Sequence, residues 1–82
     1  FLDEKCYINL FAALAAGNYD DAILNVHTLK GVSGNLGFMR LMELSASMLG
    51  DLRAQKYDNL DAHESAIRTE HDRIVAIIRQ IL

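Results

Sequence analysis

Eighty-two residues make room for one domain and one hydrophobic core, near the lower end of what such a core can hold together. Hydrophobic residues make up 51% of the chain, and there is no proline and no tryptophan, which suits a helical bundle rich in Ala, Leu and Ile. A formal charge of −3, with 8 basic side chains scattered among 11 acidic ones, leaves no basic patch of the kind nucleic-acid binding needs. No apolar run approaches the roughly 18 residues needed to span a bilayer, and nothing resembles a signal peptide. The lone Cys6 rules out an internal disulfide and fits a reducing compartment. These features predict a single soluble, cytoplasmic, monomeric domain over residues 1–82 with no direct membrane contact. It opens on Phe1 and not Met, as a segment excised from a longer chain would.

Residues 2 to about 16 read as a first helix, with Asp3 and Glu4 in the turn where the helix dipole favours negative charge. Leu2, Cys6, Leu10 and Ala13 trace one apolar stripe, and Ile8, Phe11 and Leu14 widen it into a face buried on more than one side. Gly17 ends the helix, and Asn18 is placed to cap the next, with Asp20 and Asp21 in its opening turn.

A second helix is predicted over 19–36. Tyr19, Ala22, Val26, Leu29, Ser33 and Leu36 recur at helical spacing as its inward face, so the period runs through Gly31 and Gly34 and does not stop at the first of them. Ile23 and Leu24, about one turn before His27, are assigned to the outward face as an apolar docking patch.

Gly37 reads as a hinge before a third helix from Phe38 to Ala54, whose stripe is Phe38, Leu41, Leu44, Met48 and Leu52, with Met42, Ser45 and Leu49 on its flank. Gly50 costs this helix stability, and close packing against a neighbour is the default reason for it. After the loop QKYDN, Asp58 or Asn59 caps a fourth helix over 60–81, in which Leu60, Ile67, Ile74 and Ile81 recur every seven residues. Its buried stripe is clear only in the C-terminal half. His63 and His71, with Glu64 and Glu70 nearby, match no metal-ligand spacing, so no metal site is expected. Arg68, Arg73 and Arg79 read as solvated charges paired along the helix. Short loops between four amphipathic helices predict an all-α, antiparallel up-down-up-down four-helix bundle.

The chemistry concentrates in HTLKGVSGNLG, residues 27–37. Positions three, four and seven beyond His27 share its face of a helix, so Lys30, Gly31 and Gly34 form a stripe with almost no side-chain bulk beyond the histidine and lysine. The two glycines together give up roughly 2 kcal/mol of helix stability, a sacrifice that makes sense if they bare the imidazole to another protein's surface. Neither a dinucleotide fingerprint nor a P-loop is present. A neutral imidazole has one ring nitrogen with a free lone pair, so a bare histidine is a potential nucleophile.

The run AILNVHTLKGVSGNLGF resembles the signature of histidine-containing phosphotransfer (HPt) domains: a histidine, Lys-Gly at plus three and plus four, small residues near plus seven, and glycine at plus ten. The order and lengths of the helices extend the likeness over nearly the whole chain. Such domains commonly carry more sequence ahead of the first helix than this chain has. The resemblance implies a phosphorelay intermediate, in which His27 accepts a phosphoryl group from a receiver-domain aspartate and passes it to another, with Lys30 as supporting cation and Gly31 and Gly34 giving access. It implies receiver domains of response regulators or of a hybrid kinase as partners, Mg2+ on the receiver and no cofactor on this chain, and no autonomous ATP-dependent kinase activity. Domains of this kind occur free-standing or tethered to a membrane sensor kinase.

Two other readings stay open. The phosphoacceptor domain of a chemotaxis-type kinase shares the HTLKG-like core and a Gly-Phe pair like Gly37-Phe38, but couples its histidine to a glutamate network on the next helix, for which Glu43 is the only nearby candidate. A non-catalytic helical interaction module is the other. A hydrolytic enzyme fits least, because no nucleophile, base and orienting acid converge.

Overall fold

The computed structural model describes residues 4–81, with side chains from Lys5 onward. Leu2 and Asp3, assigned above to the first helix, lie outside the described residues. The fold is all-α: α1 (Glu4–Ala16), α2 (Tyr19–Asn35), α3 (Met39–Arg53) and α4 (Leu60–Ile81), with no strand among the described residues.

Each of the first three helices ends through the same device, a residue in the left-handed region whose amide and the next one reach back to the last carbonyls. Gly17 (φ 71°) and Gly37 (φ 80°) do this as glycine can, without a Cβ in the way. The amide of Asn18 donates to the Ala13 carbonyl at 2.9 Å, and that of Phe38 to the Ser33 carbonyl at 2.9 Å. After α3 the position falls to Gln55 (φ 58°), while the amide of Lys56 closes the turn on the Asp51 carbonyl at 2.8 Å. Asn18 caps α2 as expected, its side-chain oxygen accepting from the Asp21 amide at 3.3 Å while its amide group donates to the Asp21 carboxylate at 2.7 Å. Phe38 opens α3 with no side-chain cap. At α4 the first turn begins on the Asn59 carbonyl, which accepts from the His63 amide at 3.0 Å.

The core is the set of stripes turned toward one another: Cys6, Leu10, Phe11 and Ala13 from α1, Ala22, Val26 and Leu29 from α2, Leu41, Met48, Leu49 and Leu52 from α3, and Leu60, Ile67 and Ile74 from α4. Ser33 and Ser45 are also fully buried, each hydroxyl donating to the carbonyl four residues back, Leu29 at 2.6 Å and Leu41 at 2.8 Å. No buried donor is stranded there, and a small residue at each position keeps the core narrow.

Several assignments made from periodicity change. Ile8 is 61% exposed and Leu36 42% exposed, not core: Ile8 falls on the rim of its broad apolar face, and Leu36 lies past the end of α2, where helical period no longer sets direction. Ile23 is half-buried and packs on the core instead of facing fully outward. The buried stripe of α4 starts at Leu60 and runs through Ile67, Glu70, His71 and Ile74, so it occupies the N-terminal part, and Ile81 is exposed. Polar residues had hidden it.

Those polar residues dock α4 onto the other helices. Tyr7 of α1 stacks on His71 at 3.8 Å between ring centroids and meets Phe11 edge-on at 4.6 Å, while the Arg68 guanidinium lies 4.3 Å over the Phe11 ring. His63 shares a 2.6 Å hydrogen bond with Asp51 of α3. Arg68 also donates to Glu64 at 3.0 Å. Arg73 makes a forked hydrogen bond to the buried Glu70, which pushes the Arg73 pKa further up and leaves the carboxylate satisfied. Arg79 is exposed in the last turn.

Candidate functional site

Helix α2 divides into a buried stripe, Ala22, Val26, Leu29 and Ser33, and an opposite face on which His27 is exposed. Its neighbours Val26 and Leu29 anchor the backbone on either side, so the imidazole projects from a helix held by fully buried side chains. Thr28 reinforces the same turn by donating to the Leu24 carbonyl at 3.0 Å, and Asn25 donates to the Asp21 carbonyl at 2.8 Å. Lys30 is half-buried one turn beyond. Leu24 is 67% exposed one turn before, so the expected apolar patch is Leu24 with only the edge of Ile23.

The two glycines of the stripe differ. A Cβ built at Gly31 meets no atom within 4 Å, so this position is open. At Gly34 the same atom would stand 3.1 Å from the Met42 sulfur. At Gly34 the Met42 thioether of α3 thus lies close against α2, two turns from His27, whereas Gly31 stands open. Helical spacing places Gly34 on the His27 face but cannot show that a side chain of α3 leans over it.

Of the 3 histidines, only His27 is exposed. His63 is partly buried and tied to Asp51. His71 is 7% exposed, and neither of its ring nitrogens finds a hydrogen-bond partner among the described residues. No group of three His, Cys, Asp or Glu side chains comes together for a metal among the described residues. Glu43 is exposed on α3, and no hydrogen bond joins it to His27. Sequence reasoning missed the interhelical contacts of Tyr7 with His71 and of Asp51 with His63; the polar residues within the apolar stripe of α4 are the signal that could have pointed to the two histidines.

Among the described residues, one exposed histidine stands on α2 with a half-buried lysine one turn on and an open glycine beside it. The family model of the Hpt domain matches residues 6–77, most of the chain including every residue of this site, and the chain belongs to that family. Histidine phosphotransfer in phosphorelays is the family's function, and receiver domains are its partners. No curated protein and no solved structure matches the chain significantly. No helix among the described residues is long and apolar enough to cross a membrane.

Proposed function

We propose that His27 accepts a phosphoryl group from the aspartyl phosphate of one receiver domain and passes it to, or takes it back from, the aspartate of another. The observation that carries this reading is that His27 is the one exposed histidine of the chain and stands on the motif of a family matched over residues 6–77. In the first step the imidazole lone pair forms a nitrogen–phosphorus bond as the phosphorus–oxygen bond to the aspartate breaks, and the carboxylate leaves; the second step runs the same exchange in reverse on a new carboxylate. An imidazolium cannot begin it, because both its nitrogens carry protons.

Phosphoryl transfer mostly needs positioning and charge neutralisation. This chain contributes a histidine on a rigid helix and Lys30, whose ammonium offsets the charge of the phosphorylated ring from one turn away. The receiver contributes Mg2+ and its acidic pocket. Short connections at Gly17–Asn18 and at Leu36–Phe38 support an antiparallel up-down-up-down arrangement, which holds α2 between α1 and α3 with its outer face free. The domain works in the cytoplasm, where receivers reside, either free or tethered to a sensor kinase.

The test is transfer from receiver domains charged with labelled acetyl phosphate. Wild-type protein takes up acid-labile label, and His27→Gln does not, while its melting temperature stays close to wild type, since exposed substitutions usually shift stability within about 0.5 kcal/mol. Label retained by His27→Gln sinks the assignment. Label gained only from an ATP-fed kinase domain, with none from receivers, favours the chemotaxis-type reading instead.

A further inference from the structure

At the end of the bundle where α1 gives way to α2, the chain surrounds a cavity of about 230 Å³ that phosphotransfer at His27 does not use. Leu14 of α1 and Leu60 of α4 supply its apolar part, and both are tied to the core. Tyr19, the first residue of α2, and Tyr57, from the loop before α4, supply an aromatic wall, their rings stacked at 4.1 Å between centroids. Asp61 and Glu64, at i and i+3 on α4 and so on one face of it, supply carboxylates. No residue from His27 to Gly37 lines the cavity, and neither does any lysine, arginine or histidine.

These walls select for charge. An aromatic ring attracts a cation through its quadrupole, and carboxylates beside it repel phosphates and other anions. The helix dipole accounts for a negative charge at Asp61, in the first turn of α4, but not for Glu64 further on or for two tyrosines next to them. Arg68 takes one oxygen of Glu64 at 3.0 Å, which leaves the second, and the Asp61 carboxylate has no hydrogen bond or ion pair to any described residue. The chain already seats one guanidinium in this manner: Arg68 lies 4.3 Å over the Phe11 ring while it donates to Glu64. Size narrows the choice further. At about 230 Å³ the cavity is smaller than the roughly 300–1,000 Å³ of sites for drug-sized ligands, so it suits a headgroup on a short chain and not a nucleotide. Of the common organic cations, guanidinium is planar and more weakly hydrated than ammonium, which favours it against a tyrosine wall.

We propose that this cavity binds an alkylguanidinium group, with its plane against the Tyr19–Tyr57 wall, its N–H groups donating to Asp61 and to the second oxygen of Glu64, and its chain over Leu14 and Leu60. The group comes from a free guanidino compound or from the arginine side chain of a peptide. The site is separate from His27 and does not depend on its phosphorylation.

The test is a titration followed by the ring proton signals of Tyr19 and Tyr57. The n-butylguanidinium ion shifts both and saturates with Kd on the order of 1 mM, within reach of a ligand of so few atoms. Its neutral isostere n-butylurea binds weaker by about tenfold or more, because it brings no charge to the rings and carboxylates. The n-butylammonium ion binds weaker by about threefold or more, being better hydrated and unable to fork. Asp61→Asn, which keeps the side chain's shape, and Tyr57→Leu each weaken n-butylguanidinium by about fivefold or more. His27→Gln binds as wild type. The peptide acetyl-Gly-Arg-Gly-amide tells the two sources apart: tighter binding than n-butylguanidinium supports a peptide arginine in the site, and weaker binding supports a free guanidino compound there. The proposal is overturned if neither guanidinium probe gives a saturable shift, if n-butylurea or n-butylammonium binds as tightly as n-butylguanidinium, or if affinity is unchanged in either Asp61→Asn or Tyr57→Leu.

Discussion

The Met42 sulfur stands 3.1 Å from the place where a side chain on Gly34 would begin, while the corresponding place at Gly31 is empty. One glycine of the motif therefore lies against a side chain of α3, and the other stands open on the face that carries His27. The distinction separates two substitutions that look alike in the sequence.

Gly31→Ala should stabilise the protein by up to about 1 kcal/mol, since alanine is the better helix former and nothing obstructs it. Gly34→Ala should gain less, because the Met42 thioether must first give way by a few tenths of an ångström. Gly34→Leu should lose about 1–3 kcal/mol by overpacking, whereas Gly31→Leu should fold normally and transfer poorly. Urea melts beside transfer rates on the same four variants check the contrast, and equal melts for the two leucine variants would refute it.

At His71, a stacked ring 7% exposed carries two nitrogens with no hydrogen-bond partner among the described residues, the Asp72 carboxylate standing 3.7 Å from Nδ1. An unsatisfied buried polar group costs roughly 1–3 kcal/mol. Phenylalanine keeps a ring against Tyr7 and removes both orphan atoms, so His71→Phe should raise stability by about 1 kcal/mol and leave phosphotransfer at His27 unchanged. A fall in melting temperature would show that the imidazole nitrogens are solvated or bonded in solution.

Tyr7 provides a pH signature. Burial first, and then the negative charge of Asp72, push its phenol up to about 12, with Arg68 opposing. Because the folded state binds this proton more tightly than the unfolded chain, the stabilisation is fully present below pH of about 10 and is lost as the pH rises from there through about 12. Denaturation midpoints measured between pH 9 and 11 should fall more steeply for wild type than for Tyr7→Phe. Parallel curves would mean the phenol is solvated in the folded protein.

Gln55 ends α3 in the left-handed region with φ 58°, a conformation that costs a residue with a Cβ about 1 kcal/mol or more. The equivalent positions after α1 and α2 are Gly17 and Gly37. Gln55→Gly should therefore stabilise by about 0.5–1 kcal/mol, part of the relief being offset by the greater freedom of glycine in the unfolded chain. Thermal melts decide, and a destabilised Gln55→Gly would show that its side chain makes contacts worth more than the strain.

Much of the molecule was legible because it rests on local rules. Gly17 and Asn18 between two apolar periodicities mark a helix end and a helix start wherever they occur, and the spacing of His27, Lys30, Gly31 and Gly34 places them on one face of any helix they form. Local pattern was enough to place the four helices and most of the apolar core positions, and to single out His27 as the candidate reactive group. Tertiary structure decided what lies opposite each face. Whether Gly34 is bare or covered depends on Met42, eight residues on and past the turn, and that Gly50 packs against nothing shows only in three dimensions. His71 is covered by the ring of Tyr7 on α1, a helix distant in the chain. Periodicity reports direction around a helix axis, and only the neighbouring helix determines whether that direction meets solvent, a ring or a sulfur.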